Sequence, residues 1–157
     1  MKLKWLALIA AVVFSLTGCS AAASGPVDIQ KNQENCDSCN MGIMDLDSAA
    51  QIVLKNGKPL LFDDIGCMIE YLQENNPQYE GAFVHDFDTK KWIDLDSSVF
   101  IQDQKIESPM SYGIAAFSTS EGAKEFQNEH GGHLYSKKDM LEVDLKNFKQ
   151  SGSDHSH

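Results

Sequence analysis

Residues 62–75 and 117–130 align at an offset of 55 positions, which pairs Phe62 with Phe117, Glu70 with Glu125, Tyr71 with Phe126 and Glu74 with Glu129. Each stretch closes a strand, turn, strand, helix pattern whose apolar face one copy cannot bury, so two copies packed together is the economical arrangement. Chance likeness between two short amphipathic helices is the competing account. A length of 157 residues leaves room for one compact domain or two very small ones. The expected fold class is therefore α+β, with two small ββα units packed against each other.

Local signals fill in that outline. The apolar runs 51–54 and 60–62 flank Lys55-Asn56-Gly57-Lys58, and Asn-Gly predicts a hairpin turn in which both central residues take positive φ. Asp63 and Asp64 can cap a helix that places Ile65, Met68, Ile69 and Leu72 on one face and ends before Pro77. Residues 82–87 and 92–95 read as strands joined through Asp88-Thr89-Lys90, and 99–101 and 114–117 as two more around a loop with Pro109-Met110. Ser118-Thr119-Ser120-Glu121 has the form of a capping box opening a second helix that stops at Gly131-Gly132.

The ends stand outside this pattern. Lys2 and Lys4 give a positive start and residues 5–16 a twelve-residue apolar run, shorter than the ~20 residues that cross a bilayer, so residues 1–18 read as a signal peptide. Leu16-Thr17-Gly18-Cys19 resembles a bacterial lipobox. It predicts cleavage before Cys19 and a lipid on that residue that holds the chain to the membrane on its extracytoplasmic side; an ordinary cut near Ala21 to Ala23 is the alternative. Residues 19–33 read as a flexible tether and 34–149 as the domain. Residues 150–157 read as a disordered tail in which His155 and His157 are a weak metal candidate. Cleavage would remove Lys2 and Lys4, leaving 11 Lys against 23 acidic residues. So acidic a chain is a poor partner for a polyanion, which excludes a nucleic-acid binder.

With Cys19 committed to lipid, Cys36, Cys39 and Cys67 remain, an odd number in a compartment where spare thiols tend to be oxidised. The densest chemistry is Cys36-Asp37-Ser38-Cys39-Asn40-Met41, three soft donors within six residues. Thiolate and thioether together select a soft ion, above all copper(I), over calcium or magnesium. Three other readings stay open: a Cys36 to Cys39 disulfide, a thiol redox pair that lacks the βαβ surroundings of thioredoxin-like motifs, and a zinc site completed by Cys67 or a histidine. Met44 and Met68 read as core fillers and Cys67 as a buried thiol at the edge of the helix stripe.

Taken in order, lipobox Cys19, Cys36-x-x-Cys39-x-Met41, Gln51-Ile52, Phe62-Asp63-Asp64-Ile65-Gly66-Cys67, Val84-His85-Asp86, Trp92-Ile93, Ser108-Pro109-Met110 with Tyr112-Gly113, Ala116-Phe117 and Gly131-Gly132 resemble the NosL family, accessory lipoproteins of nitrous-oxide reductase. The resemblance covers nearly the whole mature domain. It implies a fold of ββα units similar in topology to treble clefs. It also implies a copper(I) chaperone for the reductase's copper cluster, with no catalytic reaction of its own. Its Cys-x-Met core falls on Cys39 and Met41 and its Pro-Met on Met110, with Cys36 a supporting ligand or disulfide partner. Asn40 stands where the family pattern has Gly, and Asn is the residue that best tolerates positive φ after Gly. A thiol redox protein using Cys36 and Cys39, or a chaperone for another copper enzyme such as a terminal oxidase, are the alternatives.

Overall fold

Both expected units are present, each as an antiparallel hairpin followed by a helix, in the computed structural model, which describes residues 25–149. The signal peptide, Cys19 and the tail with His155 and His157 lie outside the described residues. In the first unit β1 (Ala50–Leu54) pairs with β2 (Pro59–Phe62), Ala50 opposite Phe62. The connecting turn departs from expectation, because only Gly57 takes positive φ (81°). Asn56 instead uses its side-chain oxygen to accept from the Lys58 N–H at 3.0 Å, so four residues make the connection.

α1 (Ile65–Asn75) is capped by Asp64 and ends at Asn76 in the left-handed region, before Pro77. Ile65, Met68, Ile69 and Leu72 are all buried, as the 3.6-residue period requires. β3 (Tyr79–His85) then returns antiparallel to β1, and β4 (Trp92–Asp94) completes a sheet of order β2-β1-β3-β4.

The second unit repeats the plan. β5 (Val99–Gln102) pairs with β6 (Ile114–Phe117), α2 (Ser120–His130) follows, and β7 (His133–Ser136) returns beside β5, giving the order β6-β5-β7. In both units the first strand is central, with its hairpin partner on one side and the returning strand on the other. The offset of 55 is thus a repeat of topology, not a chance likeness of helices, since β6 starts 55 residues after β2 and α2 starts 55 residues after α1.

Several features differ from the sequence reading. Thr119, not Ser118, caps α2 by accepting from the Gly122 N–H at 3.1 Å, because the Ser118 N–H is drawn to the Asp86 carboxylate at 2.7 Å. β7, α3 (Lys137–Glu142) and α4 (Lys146–Lys149) were not expected; the one local signal is the capping box of Ser136 with Asp139. The segment read as tether is in contact from Val27 onward: its backbone pairs with the buried Gln51 side chain at 2.8 and 3.0 Å, and Ile29 packs with Ile43, Ala49 and Leu61. Met68 is core as expected, while Met44 is 56% exposed.

One core joins the units. Phe62, Met68 and Ile69 of the first pack with Phe100, Tyr112 and Ile114 of the second, each worth ~1.5–3 kcal/mol on burial by transfer estimates. Among the described residues, no helix is long and apolar enough to cross a membrane.

Candidate metal centre

The Cys-x-x-Cys segment forms a tight reversal. The Cys36 N–H donates to the Met41 carbonyl at 2.8 Å and the Asn40 N–H to the Cys36 carbonyl at 2.9 Å, while Asn35 bridges Gly42 across its base. The reversal needs one residue in the left-handed region, and Asn40 supplies it at φ 61°. A short polar side chain is tolerated there, so the turn keeps its shape without a glycine. Asp37 then ties the turn to β2: its N–H donates to the Leu61 carbonyl and its carboxylate accepts from the Leu61 N–H, both at 2.7 Å.

That tie brings three stretches of chain together. β2 runs on into Asp63 and Asp64, and Cys67 sits in the first turn of α1. The sulfurs of Cys36, Cys39 and Cys67 and a carboxylate oxygen of Asp63 all lie within 4.8 Å of one another. All three cysteines are free thiols. Cys36 and Cys67 are buried, at 2% and 1% exposed, and Cys39 is half-buried at the mouth.

The three sulfurs differ in charge. The Cys67 thiol beside it and, against the cost of burial, the Cys39 N–H that donates to its sulfur at 3.5 Å, with the N–H groups of Asp63 and Ser38 nearby, hold the pKa of Cys36 at about 6. Cys67, donating to Cys36 and buried, is pushed well above the usual thiol range. Burial pushes Cys39 up to about 11, and its thiol lies 3.5 and 3.6 Å from the two Asp63 oxygens. Cys36 is thus the sulfur of the cluster that gives up its proton most readily.

Of the residues singled out in the sequence, Cys36 and Cys39 belong to this cluster. Met41 follows on the same turn with its side chain 57% exposed, and Met110 is half-buried against the core that includes Cys36 and Cys67. Asp63 is the member that sequence reasoning did not assign, and Cys67 entered there only as a possible completing ligand of a zinc site. Their signal was the odd cysteine count together with the position of Cys67 three residues after a helix cap.

Asp64, next to the cluster, is buried at 1% exposure and binds in two directions. One oxygen accepts from the Gly66 N–H at 2.7 Å; the other accepts from the Ser108 hydroxyl at 2.7 Å and the Met110 N–H at 3.0 Å. Burial nonetheless pushes its pKa up.

Three sulfurs converging on one point form a set that a soft monovalent ion fits with two or three ligands. With the carboxylate as a fourth ligand, the same set could hold tetrahedral zinc. A family model, NosL, matches residues 26–144. A crystal structure of the copper chaperone NosL from Shewanella denitrificans superposes with a TM-score of 0.59 at 20% identity, covering 71% of this chain and 93% of that one. At that identity the likeness carries the fold alone. No curated protein matches the chain.

Proposed function

This chain belongs to the NosL family, and from that premise we propose that it is a copper(I)-binding chaperone, lipid-anchored through Cys19 on the extracytoplasmic side of the membrane. Its cargo would serve assembly of the nitrous-oxide reductase copper cluster, as the family resemblance implies. The observation that supports this best is the convergence of Cys36, Cys39, Cys67 and Asp63 within 4.8 Å. Cys36 and Cys39 hold the ion in this reading, Cys67 is a third thiol within reach, and Met41 and Met110 supply thioethers.

A soft ion is favoured over zinc because Met41 and Met110 offer thioethers, which zinc sites do not use, and the one oxygen already faces the Cys39 thiol. The thiol redox alternative fits less well. An attacking thiol should be both exposed and low in pKa, whereas here the low pKa belongs to buried Cys36 and the thiol at the mouth is raised.

Anaerobic titration of the mature domain against a chromophoric copper(I) chelator tests the proposal. One tight copper(I) site per monomer, with zinc competing poorly, is the expected result. Cys39→Ser should abolish tight binding and Cys36→Ser should weaken it. Stronger retention of zinc than of copper(I) would make the centre structural, and a Cys36 to Cys39 disulfide in native protein would revive the redox reading. Mass spectrometry of membrane fractions should find Cys19 acylated at the N-terminus.

A further inference from the structure

The two hairpins differ in length at one end. Between the paired residues Val53 and Pro59 only residues 54–58 intervene, whereas between Gln102 and Ile114 the chain makes a long excursion over residues 103–113. That excursion carries Ser108, Met110 and Tyr112, and it folds back onto the first turn of α1 in the other unit.

Two contacts hold it there. Tyr112 packs against Gly66, so closely that a Cβ at that glycine would sit 2.1 Å from the ring, and its hydroxyl donates to Glu70 at 3.0 Å. The second contact is the Asp64 carboxylate, which caps α1 with one oxygen and accepts from Ser108 and Met110 with the other. Thr119, the cap at the equivalent place in the second unit, has a single side-chain oxygen, and it accepts only from its own helix, at Gly122. Capping a helix therefore needs one acceptor, and the second acceptor of Asp64 has a different job.

We propose that Asp64 is a positioning residue that latches the 103–113 excursion of the second unit onto the Cys67 helix of the first, holding Met110 at the soft-metal centre. This rests on the reading of that centre as a copper(I) site. The cysteines come from the first unit and the thioether of Met110 from the second, so one buried carboxylate sets the geometry between them.

Asp64→Thr copies the cap of the second unit. It keeps one acceptor for the Gly66 N–H and removes the oxygen that holds the excursion, while the Tyr112 packing on Gly66 remains. Outer partners of metal ligands typically contribute about 10- to 100-fold in affinity. Asp64→Thr should therefore weaken copper(I) binding on that scale in chelator competition, by about as much as Met110→Leu. The double variant should lose no more than either single one, and circular dichroism should show the fold intact.

Full additivity of the two losses, or parental affinity in Asp64→Thr, overturns the latch. Parental affinity in Met110→Leu overturns it as well, since the excursion would then deliver no ligand. Failure of the parent itself to hold copper(I) overturns the underlying reading instead. Should Asp64→Thr not fold, Ser108→Ala, which removes one latch bond and leaves the cap untouched, must show a smaller loss that vanishes in the Met110→Leu background; an unchanged affinity there counts against the latch.

Discussion

Fifty residues after the reversal at 36–41, the chain makes the same reversal again. The Asp86 N–H donates to the Lys91 carbonyl at 2.8 Å and the Lys90 N–H to the Asp86 carbonyl at 2.9 Å, the distances found for Cys36 and Asn40. Lys90 has φ 58° where Asn40 has 61°. His85 pairs with Trp92 as Asn35 does with Gly42, and the Phe87 N–H reaches the Ala116 carbonyl as the Asp37 N–H reaches Leu61, both at 2.7 Å.

What differs is the anion at the centre. The Asp86 carboxylate accepts from the N–H groups of Asp88, Thr89 and Ser118 and from the Thr89 hydroxyl. The Cys36 sulfur faces the equivalent N–H groups of Ser38, Cys39 and Asp63. Both are pulled below their usual range, Asp86 to about 2 despite its burial and Cys36 to about 6. In the second unit Thr89 stands for Cys39, Ser118 for Asp63 and Gly122 for Cys67, so the carboxylate finds all its partners and the turn is finished. The backbone is thus a general anion cradle, and the side chains placed around it decide whether it closes a loop or collects a metal.

The harshest way to break this parallel is Asp86→Ala. It strands several donors around a buried side chain in a turn whose outer residues are exposed, where water meets part of the about 1–3 kcal/mol cost of each, and urea unfolding should show a loss of about 2–3 kcal/mol. Losses under about 1 kcal/mol would mean that water replaces the carboxylate with ease.

Cys36→Asp transplants the second unit's anion into the first. The fold should survive because the cradle accepts either anion, and apo thermal unfolding should stay close to the parent. Copper(I) affinity should fall by more than the about 10- to 100-fold that outer-shell changes cost, since softness at a ligand is lost.

The units should also respond differently to acid. Cys36 is deprotonated in the fold above about 6 and protonated in the unfolded chain below its ordinary 9.0, so its contribution is full above pH 9 and is lost as pH falls through about 6. For Asp86 the contribution is full above 3.8 and lost as pH falls through about 2. Amide-exchange protection at Ser38 and Asp63 in apo protein should therefore decline between pH 9 and 6 while Asp88 and Ser118 hold. Parallel decline of both sets would sink the idea, and Cys36→Ser should flatten the first.

The smallest effect concerns the left-handed residues. Lys90→Gly relieves a side chain that dislikes positive φ and should gain up to about 1 kcal/mol, while Asn40→Gly should change stability by less than about 0.5 kcal/mol, because Asn already tolerates that conformation.

Much of this was legible in the chain. The stripe of α1 follows from the 3.6-residue period, the hairpin turn from Asn-Gly, and the offset of 55 and the Cys36 and Cys39 pair from likeness and spacing read directly off the chain. The second reversal was not, because Asp86-Phe87-Asp88-Thr89-Lys90-Lys91 shares no residue with Cys36-Asp37-Ser38-Cys39-Asn40-Met41 at any equivalent position; what repeats is hydrogen-bonded backbone, which leaves no mark in side chains. The place of Cys67 in the cluster was hidden for another reason. Its stripe position said buried, correctly, but its approach to Cys36 depends on the Asp37 to Leu61 tie, a pairing between segments far apart in the chain. Met44 failed because nothing local distinguishes a methionine that fills a gap from one that faces solvent.

β3 belongs to both units at once: its body completes the first sheet beside β1, and its last residue, His85, opens the reversal of the second. No linker lies between the halves, so cutting the chain between them does not free two whole units. A fragment ending before residue 79 would leave β1 with a bare edge, and one beginning after residue 85 would lack half the base of its own reversal. The two halves, if cut apart, would each come away incomplete.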